Sequence, residues 1–190
     1  LSFYNNNLST LNNRTIINIG RLTSDKRQDL LLKIWREVSE KHPDWKLKIV
    51  GTGELKNELI QTIKNFNLVN SVKVIEPIKD VESLFLNSSI FTFTSRYEGF
   101  GMVLAEAMAC GVPCISFDIP SGPRDIIENN IDGFLIEDNN IRQYINKLDL
   151  LMSDTNKRLY MGKMARENVK IFLDYKIEKK WNSLLKLGVA

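Results

Sequence analysis

Two carboxylates, a glycine-rich turn and a pair of cations are the residues of this chain whose types and spacing could do chemistry. The run Ser95-Arg96-Tyr97-Glu98-Gly99-Phe100-Gly101-Met102-Val103-Leu104-Ala105-Glu106 follows an apolar segment and leads into good helix formers. Gly99 and Gly101 let the backbone approach a ligand closely and take a positive φ where one is needed. From Gly101 onward the first helical amides have no intrahelical acceptor, so together with the helix dipole they offer an anion site. Glu106 lies among Met102, Val103, Leu104, Ala105, Ala107, Met108 and Ala109, in a helix apolar nearly all round and therefore expected to be buried. A carboxylate there is costly unless something hydrogen-bonds to it. It is either a salt-bridge partner of a neighbouring strand or loop, or an acceptor for a vicinal diol such as a ribose. Glu98 precedes it by eight residues, roughly 12 Å on a continuous helix. Since Glu98 belongs to the loop, the two carboxylates are expected to flank the helix N-terminus. A diphosphate could sit there, with a ribose on one side and a sugar on the other.

The elements that must position these groups can be read from hydrophobic periodicity. Short apolar runs at Thr15–Ile19, Lys46–Val50, Val72–Ile75, 90–94, 113–117 and 134–136 read as strands. Segments of helical period lie near 27–41, 54–66, 80–87, 101–110, 121–129 and 139–152, followed by 158–172 and 176–187. Such alternation predicts an α/β fold with a parallel sheet covered on both faces. Right-handed crossovers then gather the loops after the strands along one rim, where ligands bind. Every candidate motif falls in such a loop. The final helix carries Trp181, Leu184, Leu185 and Leu187 on one stripe, for packing on this domain or docking on a missing one.

Composition and motifs exclude several function classes. The chain has 190 residues, 43% of them hydrophobic and 26% charged, and a net charge of only +3, which argues against a dedicated nucleic-acid binder. No apolar run reaches the roughly 18–20 residues of a membrane span. Cys110 and Cys114 flank Gly111-Val112-Pro113; with no other cysteine and a remote His42, they read as small buried residues in a cytosolic setting. Gly20-Arg21-Leu22 after the first strand lacks the second glycine of a dinucleotide fingerprint, and Gly51-Thr52-Gly53-Glu54 lacks the third. No phosphate-binding loop ending in Gly-Lys-Ser/Thr occurs, and no Asp-x-Asp pair offers a divalent metal a site. The Asn-rich start, 1–13, reads as a linker remnant of a longer protein.

Glu98-x7-Glu106, with Gly-Phe-Gly after the first Glu and Glu-Ala-Met-Ala-Cys-Gly-Val-Pro from the second, resembles the signature of glycosyltransferase family 4 (glycosyl transferases group 1). These are retaining enzymes of the GT-B fold. The resemblance spans roughly 14–187 and covers only the family's C-terminal, donor-binding domain. It implies a Rossmann-like three-layer α/β/α domain with six parallel strands over 14–172, and a helix within 173–190 that docks on the absent N-terminal domain. Gly20, Arg21 and Lys26 resemble the family's basic pair after the first strand, with four residues between the cations. Arg21 could clamp a diphosphate bidentately and Lys26 as a point charge; Arg27, next door, competes with Lys26 for that role.

The resemblance further implies transfer of a hexosyl group from a nucleotide-diphosphate sugar to a glycan or lipid-linked acceptor. Glu98 would contact donor-sugar hydroxyls, and the amides of Gly99, Phe100, Gly101, Met102 and Val103 the phosphates and sugar. Glu106 would hold the ribose, while Arg21 and Lys26 stabilise the departing diphosphate. Gly51 would line the nucleotide pocket and Ile78 the base, although Glu76 stands where the family usually has glycine. Ser121-Gly122-Pro123-Arg124 resembles a subset that builds bacterial surface polysaccharides from UDP-linked donors. Arg124 either sees phosphate or pairs with Asp125 or Glu128. No metal and no cofactor other than the donor substrate are expected. The implied partners are the nucleotide sugar and the N-terminal acceptor domain, with no nucleic acid; that missing half could bring peripheral association with the inner face of a membrane. The fragment alone would be inactive. A catalytically silent nucleotide-sugar-binding module of the same fold is the alternative, and a related sugar-nucleotide epimerase a more distant one.

Overall fold

The structure is a computed structural model that describes residues 5–172; the expected C-terminal helix lies outside the described residues. Six strands, β1 (Thr15–Ile19), β2 (Lys46–Val50), β3 (Val72–Ile75), β4 (Ile90–Phe93), β5 (Cys114–Asp118) and β6 (Gly133–Glu137), form one sheet in the order β3-β2-β1-β4-β5-β6. All five pairings are parallel. The helices are α1 (Gln28–Ser39), α2 (Lys56–Asn65), α3 (Val81–Leu86), α4 (Met102–Ala109), α5 (Pro123–Ile126), α6 (Ile141–Ser153) and α7 (Thr155–Asn168). Short 3-10 turns occupy Ser24–Lys26 and Val169–Phe172.

The central strands are buried on both faces, which is why β4 and β5 read as near-continuous apolar runs, whereas β2 and the edge strand β3 carry the exposed or part-exposed Lys46, Lys48 and Lys73. On one face Ile16, Leu47, Ile49, Ile115 and Phe117 pack with Leu31 and Trp35 of α1, Leu59 of α2 and Tyr144 and Leu148 of α6. On the other, Ile17, Val50, Phe91 and Cys114 pack with Phe85 of α3, Leu104 and Met108 of α4, and Ile126 of α5. The two cysteines are buried and unlinked. Among the described residues no helix is long and apolar enough to cross a membrane.

Several boundaries differ from the periodicity for local reasons. The helix expected over 121–129 shrinks to four residues. Gly122 (φ +94) precedes it, Ile127 turns extended after it, and the Asp132 carboxylate takes the Glu128 amide at 2.8 Å. α7 begins three residues before the expected 158, because Asp154 caps it by accepting from the Lys157 amide at 2.9 Å. Residues 5–13, expected as a linker, carry no helix or strand yet are fastened to the domain. Leu11 is buried, the Ser9 amide donates to Cys110 O (2.9 Å), and the buried Arg158 donates to Leu11 O (3.0 Å).

In this order successive strands are added in one direction from β1 to β3 and in the other from β4 to β6, so the winding switches between β1 and β4. That switch point opens a crevice at the carboxyl ends of the strands. The loops carrying Arg21, Lys26 and Glu98 leave β1 and β4 there.

Candidate functional site

The β1 and β4 loops are stitched together across the switch point. The Arg96 amide donates to Asp25 O (2.7 Å), Thr94 Oγ1 to Lys26 O (2.8 Å) and Arg27 Nε to Thr94 O (2.7 Å). Lys26 Nζ makes an ion pair with Glu98 Oε1, and Ser95 Oγ donates to the same oxygen at 3.0 Å. The paired side chains are only 15% and 16% exposed. This contact, between groups expected on different parts of a ligand, brings residues 72 apart in the chain together.

The backbone sends the two adjacent cations to different partners. The 3-10 turn Ser24–Lys26 ends at Arg27 in the left-handed region (φ +53). Lys26 reaches Glu98, while Arg27 is 3% exposed and its fork is spent on Thr94, Ser95, Asp138 and Asn139. Arg21 is exposed and makes no ion pair among the described residues.

Beyond Glu98 the chain enters α4 through Gly101, whose φ of +81 is one that side chains rarely adopt. No side chain caps this helix, and the Met102 and Val103 amides have no acceptor among the described residues. Phe100 and Met102 are part-exposed beside them, and Phe100 meets Phe172 edge-on. A Cβ at Gly99 would meet nothing within 4 Å, so nothing in the described fold demands a glycine there. The loop after β5 buttresses the turn: Ser121 Oγ donates to Gly99 O, and a Cβ at Gly122 would come 2.6 Å from Phe100 O.

Glu106, one turn into α4, is half-buried rather than fully enclosed. It has no hydrogen bond or ion pair among the described residues, so the salt-bridge reading finds no support there. Burial raises its pKa. An under-solvated carboxylate with free acceptor oxygens is the state in which a polar ligand gains most.

A 140 Å³ cavity at the same rim is lined by Gly20, Arg21, Gly51, Thr52, Pro77 and Ile78 from the first three strand loops and by Val81 and Leu84 of α3. Gly51 is needed for an internal reason: a Cβ there would stand 1.9 Å from Gly20 O. Gly20 itself has ordinary clearance. Ile78 is 41% exposed at the mouth. Val81 and Leu84 line this cavity and Ser95 holds Glu98, placements that no sequence motif marked, although the i, i+3 spacing of the first two puts them on one helix face.

Two other residues singled out in the sequence are otherwise occupied. Arg124 pairs with Asp118 at 3.0 Å, not with Asp125 or Glu128, and α5 is too short to present an anion site. Glu76 pairs with Lys56. A larger hollow of 480 Å³ beside α5 and α7 touches none of the candidate residues except Arg124.

The family described as "Glycosyl transferases group 1" matches residues 4–168. An uncharacterized glycosyltransferase of Haemophilus influenzae is 39% identical over 183 residues, covering 95% of this chain and 51% of the relative. The amylovoran biosynthesis glycosyltransferase AmsD of Erwinia amylovora is 35% identical over 170 residues, covering 90% and 47%. Among solved structures, a Staphylococcus aureus TarM mutant in complex with Fondaparinux, alpha-GlcNAc-glycerol and UDP superposes with a TM-score of 0.87 at 30% identity, covering 98% of this chain and 37% of that one. The chain thus spans about half the length, or less, of these relatives.

Proposed function

The chain belongs to the group 1 glycosyl transferases, and from that premise we propose that it is the donor-binding C-terminal half of a retaining, family 4 enzyme. It takes a nucleotide-diphosphate sugar, UDP-linked by preference, and the whole enzyme passes the hexosyl group to a glycan or lipid-linked acceptor in surface polysaccharide synthesis. The TarM complex with UDP and the amylovoran relative support those choices. The observation that carries the reading is the half-buried Glu106, without a partner among the described residues, on the helix whose first amides have no acceptor among them, beside the Lys26–Glu98 pair.

In this arrangement the base enters the cavity at Ile78 and the ribose hydroxyls donate to Glu106. The diphosphate lies against the α4 amides between Arg21 and Lys26. Donor entry parts Lys26 from Glu98, giving the cation to phosphate oxygens and the carboxylate to sugar hydroxyls. The developing charge on the leaving diphosphate meets fixed cations and dipoles, so positioning and electrostatics supply the acceleration without a metal. The other half supplies the acceptor, and this chain alone binds donor and transfers nothing. A cytoplasmic setting, at the inner membrane face for a lipid-linked acceptor, goes with the reading.

Calorimetry with UDP and UDP-hexoses tests it. Arg21→Ala with Lys26→Ala is expected to lower affinity by about 30-fold or more, the loss of two charge-assisted contacts, and EDTA to leave it unchanged. Equal affinity in the wild type and that double variant sinks the donor clamp. A full-length parent that binds the donor but transfers nothing would mark a silent binding module instead.

A further inference from the structure

Arg27 has no role in the donor clamp, yet it is the most heavily engaged cation at the switch point. It is 3% exposed, follows Lys26 directly and holds a left-handed φ of +53, a conformation that costs any residue with a Cβ. Its Nε donates to Thr94 O (2.7 Å), and its Nη2 to Ser95 O (3.1 Å) and Asp138 Oδ1 (2.7 Å). Nη1 donates to Asn139 Oδ1 (3.1 Å), and the guanidinium lies 4.9 Å from the centre of the Phe117 ring. One planar group therefore joins the loops after β1, β4 and β6 across β5.

These contacts fall on the segments that carry Lys26 and Glu98. Thr94 returns a hydrogen bond to Lys26 O at 2.8 Å, and Ser95 Oγ donates to Glu98 at 3.0 Å. A glycine would adopt the left-handed φ freely but bridge nothing. A lysine would bring the charge without the fork. The strained backbone persists because the side chain is over-determined by its surroundings.

We infer that Arg27 is a positioning residue: it sets the register of Lys26 against Glu98 for the diphosphate and the sugar, and ties that register to Asp138 and Asn139. The inference rests on the donor-site reading above.

A double-mutant cycle in UDP affinity, followed by calorimetry or amide chemical shifts, tests it. Arg27→Gly and Arg27→Lys are each expected to weaken UDP binding about tenfold, the scale of coupling within one network. Asp138→Asn, at a part-exposed position, is expected to weaken it about two- to fivefold. In a Lys26→Ala, Glu98→Ala background none of the three should cost anything further, since nothing is left to position. Far-ultraviolet dichroism monitors folding, and if Arg27→Gly fails to fold, the Arg27→Lys and Asp138→Asn cycles decide. Wild-type affinity in Arg27→Lys, or an equal loss in both backgrounds, overturns the inference and leaves the donor site standing. A wild-type chain that binds no UDP overturns both.

Discussion

Glu106→Gln should weaken donor binding while stabilising the free protein, two effects of opposite sign from one atom exchange. In the free chain the carboxylate is half-buried, has no partner among the described residues, and burial raises its pKa. Burying an unpaired polar group completely costs about 1–3 kcal/mol. Much of this side chain is still wet, so removing its charge should return only about 0.5–1 kcal/mol, roughly 1–4 °C in Tm for a chain of this size. The sign with pH follows from linkage. A raised folded pKa means that the native state binds the proton more readily than the unfolded chain, so the penalty exists above that value. The Tm advantage of the variant should therefore be largest at neutral pH, shrink as pH falls through the raised value, and vanish below the ordinary carboxylate range. Binding moves the other way. Hydrogen bonds to a charged acceptor contribute about 1.5–3 kcal/mol each, and the amide oxygen keeps part of one, so UDP affinity should fall about 10- to 100-fold. Scanning fluorimetry across pH and calorimetry with UDP read the two effects separately. A variant that loses stability and keeps its affinity would make Glu106 a structural acceptor and refute the reasoning.

The glycines before α4 should separate in the same assays. Gly101→Ala puts a Cβ at φ +81, 3.3 Å from Leu104 Cδ1, and should cost roughly 1–2 kcal/mol, or about 2–8 °C in Tm. Gly99→Ala meets open space, so its Tm should match wild type while UDP-hexose affinity falls; unchanged affinity would mean that no ligand passes there. Burial pushes the Cys110 thiol up to about 12 and the Cys114 thiol well above its usual value. Both should therefore react with a thiol reagent only as urea unfolds the chain, and prompt stoichiometric labelling of native protein would contradict this. The hydrogen bond from His42 is the leading cause holding the Asp149 carboxyl below its usual range. Its stabilisation is present above the unfolded carboxylate value and lost as pH falls through the depressed folded one. Asp149→Asn should then lower the unfolding free energy at neutral pH by under about 1 kcal/mol, read from the shift of the urea midpoint, with no difference remaining in strong acid.

Most of the architecture was legible because it is written in short-range pattern. Short apolar segments between helical stretches mark the strands, and those at Thr15–Ile19, Lys46–Val50 and Val72–Ile75 lie where periodicity put them, the last two despite the lysines that break their runs. Element ends were less legible where side chains distant from the pattern decide them. Asp132 helps end α5 early and Asp154 starts α7 early, each by taking one backbone amide. The glycine turn and the two glutamates were visible as residue types at a spacing, since a helix N-terminus and a buried carboxylate are local facts.

The composition and order of residues determined the candidate groups: two carboxylates, two competing cations beside Arg21, and a turn able to present free amides. Tertiary structure alone decided which contacts they make. Lys26 and Arg27 are indistinguishable in sequence, but one left-handed residue sends the first to Glu98 and the second into the frame. Whether Glu106 had a partner depended on which elements came to face α4; the cation that reaches this helix, Arg166 of α7, goes to Ala109 O. Register along a chain is a short-range property. Pairing between residues 72 apart is fixed only when the sheet order closes a crevice between β1 and β4.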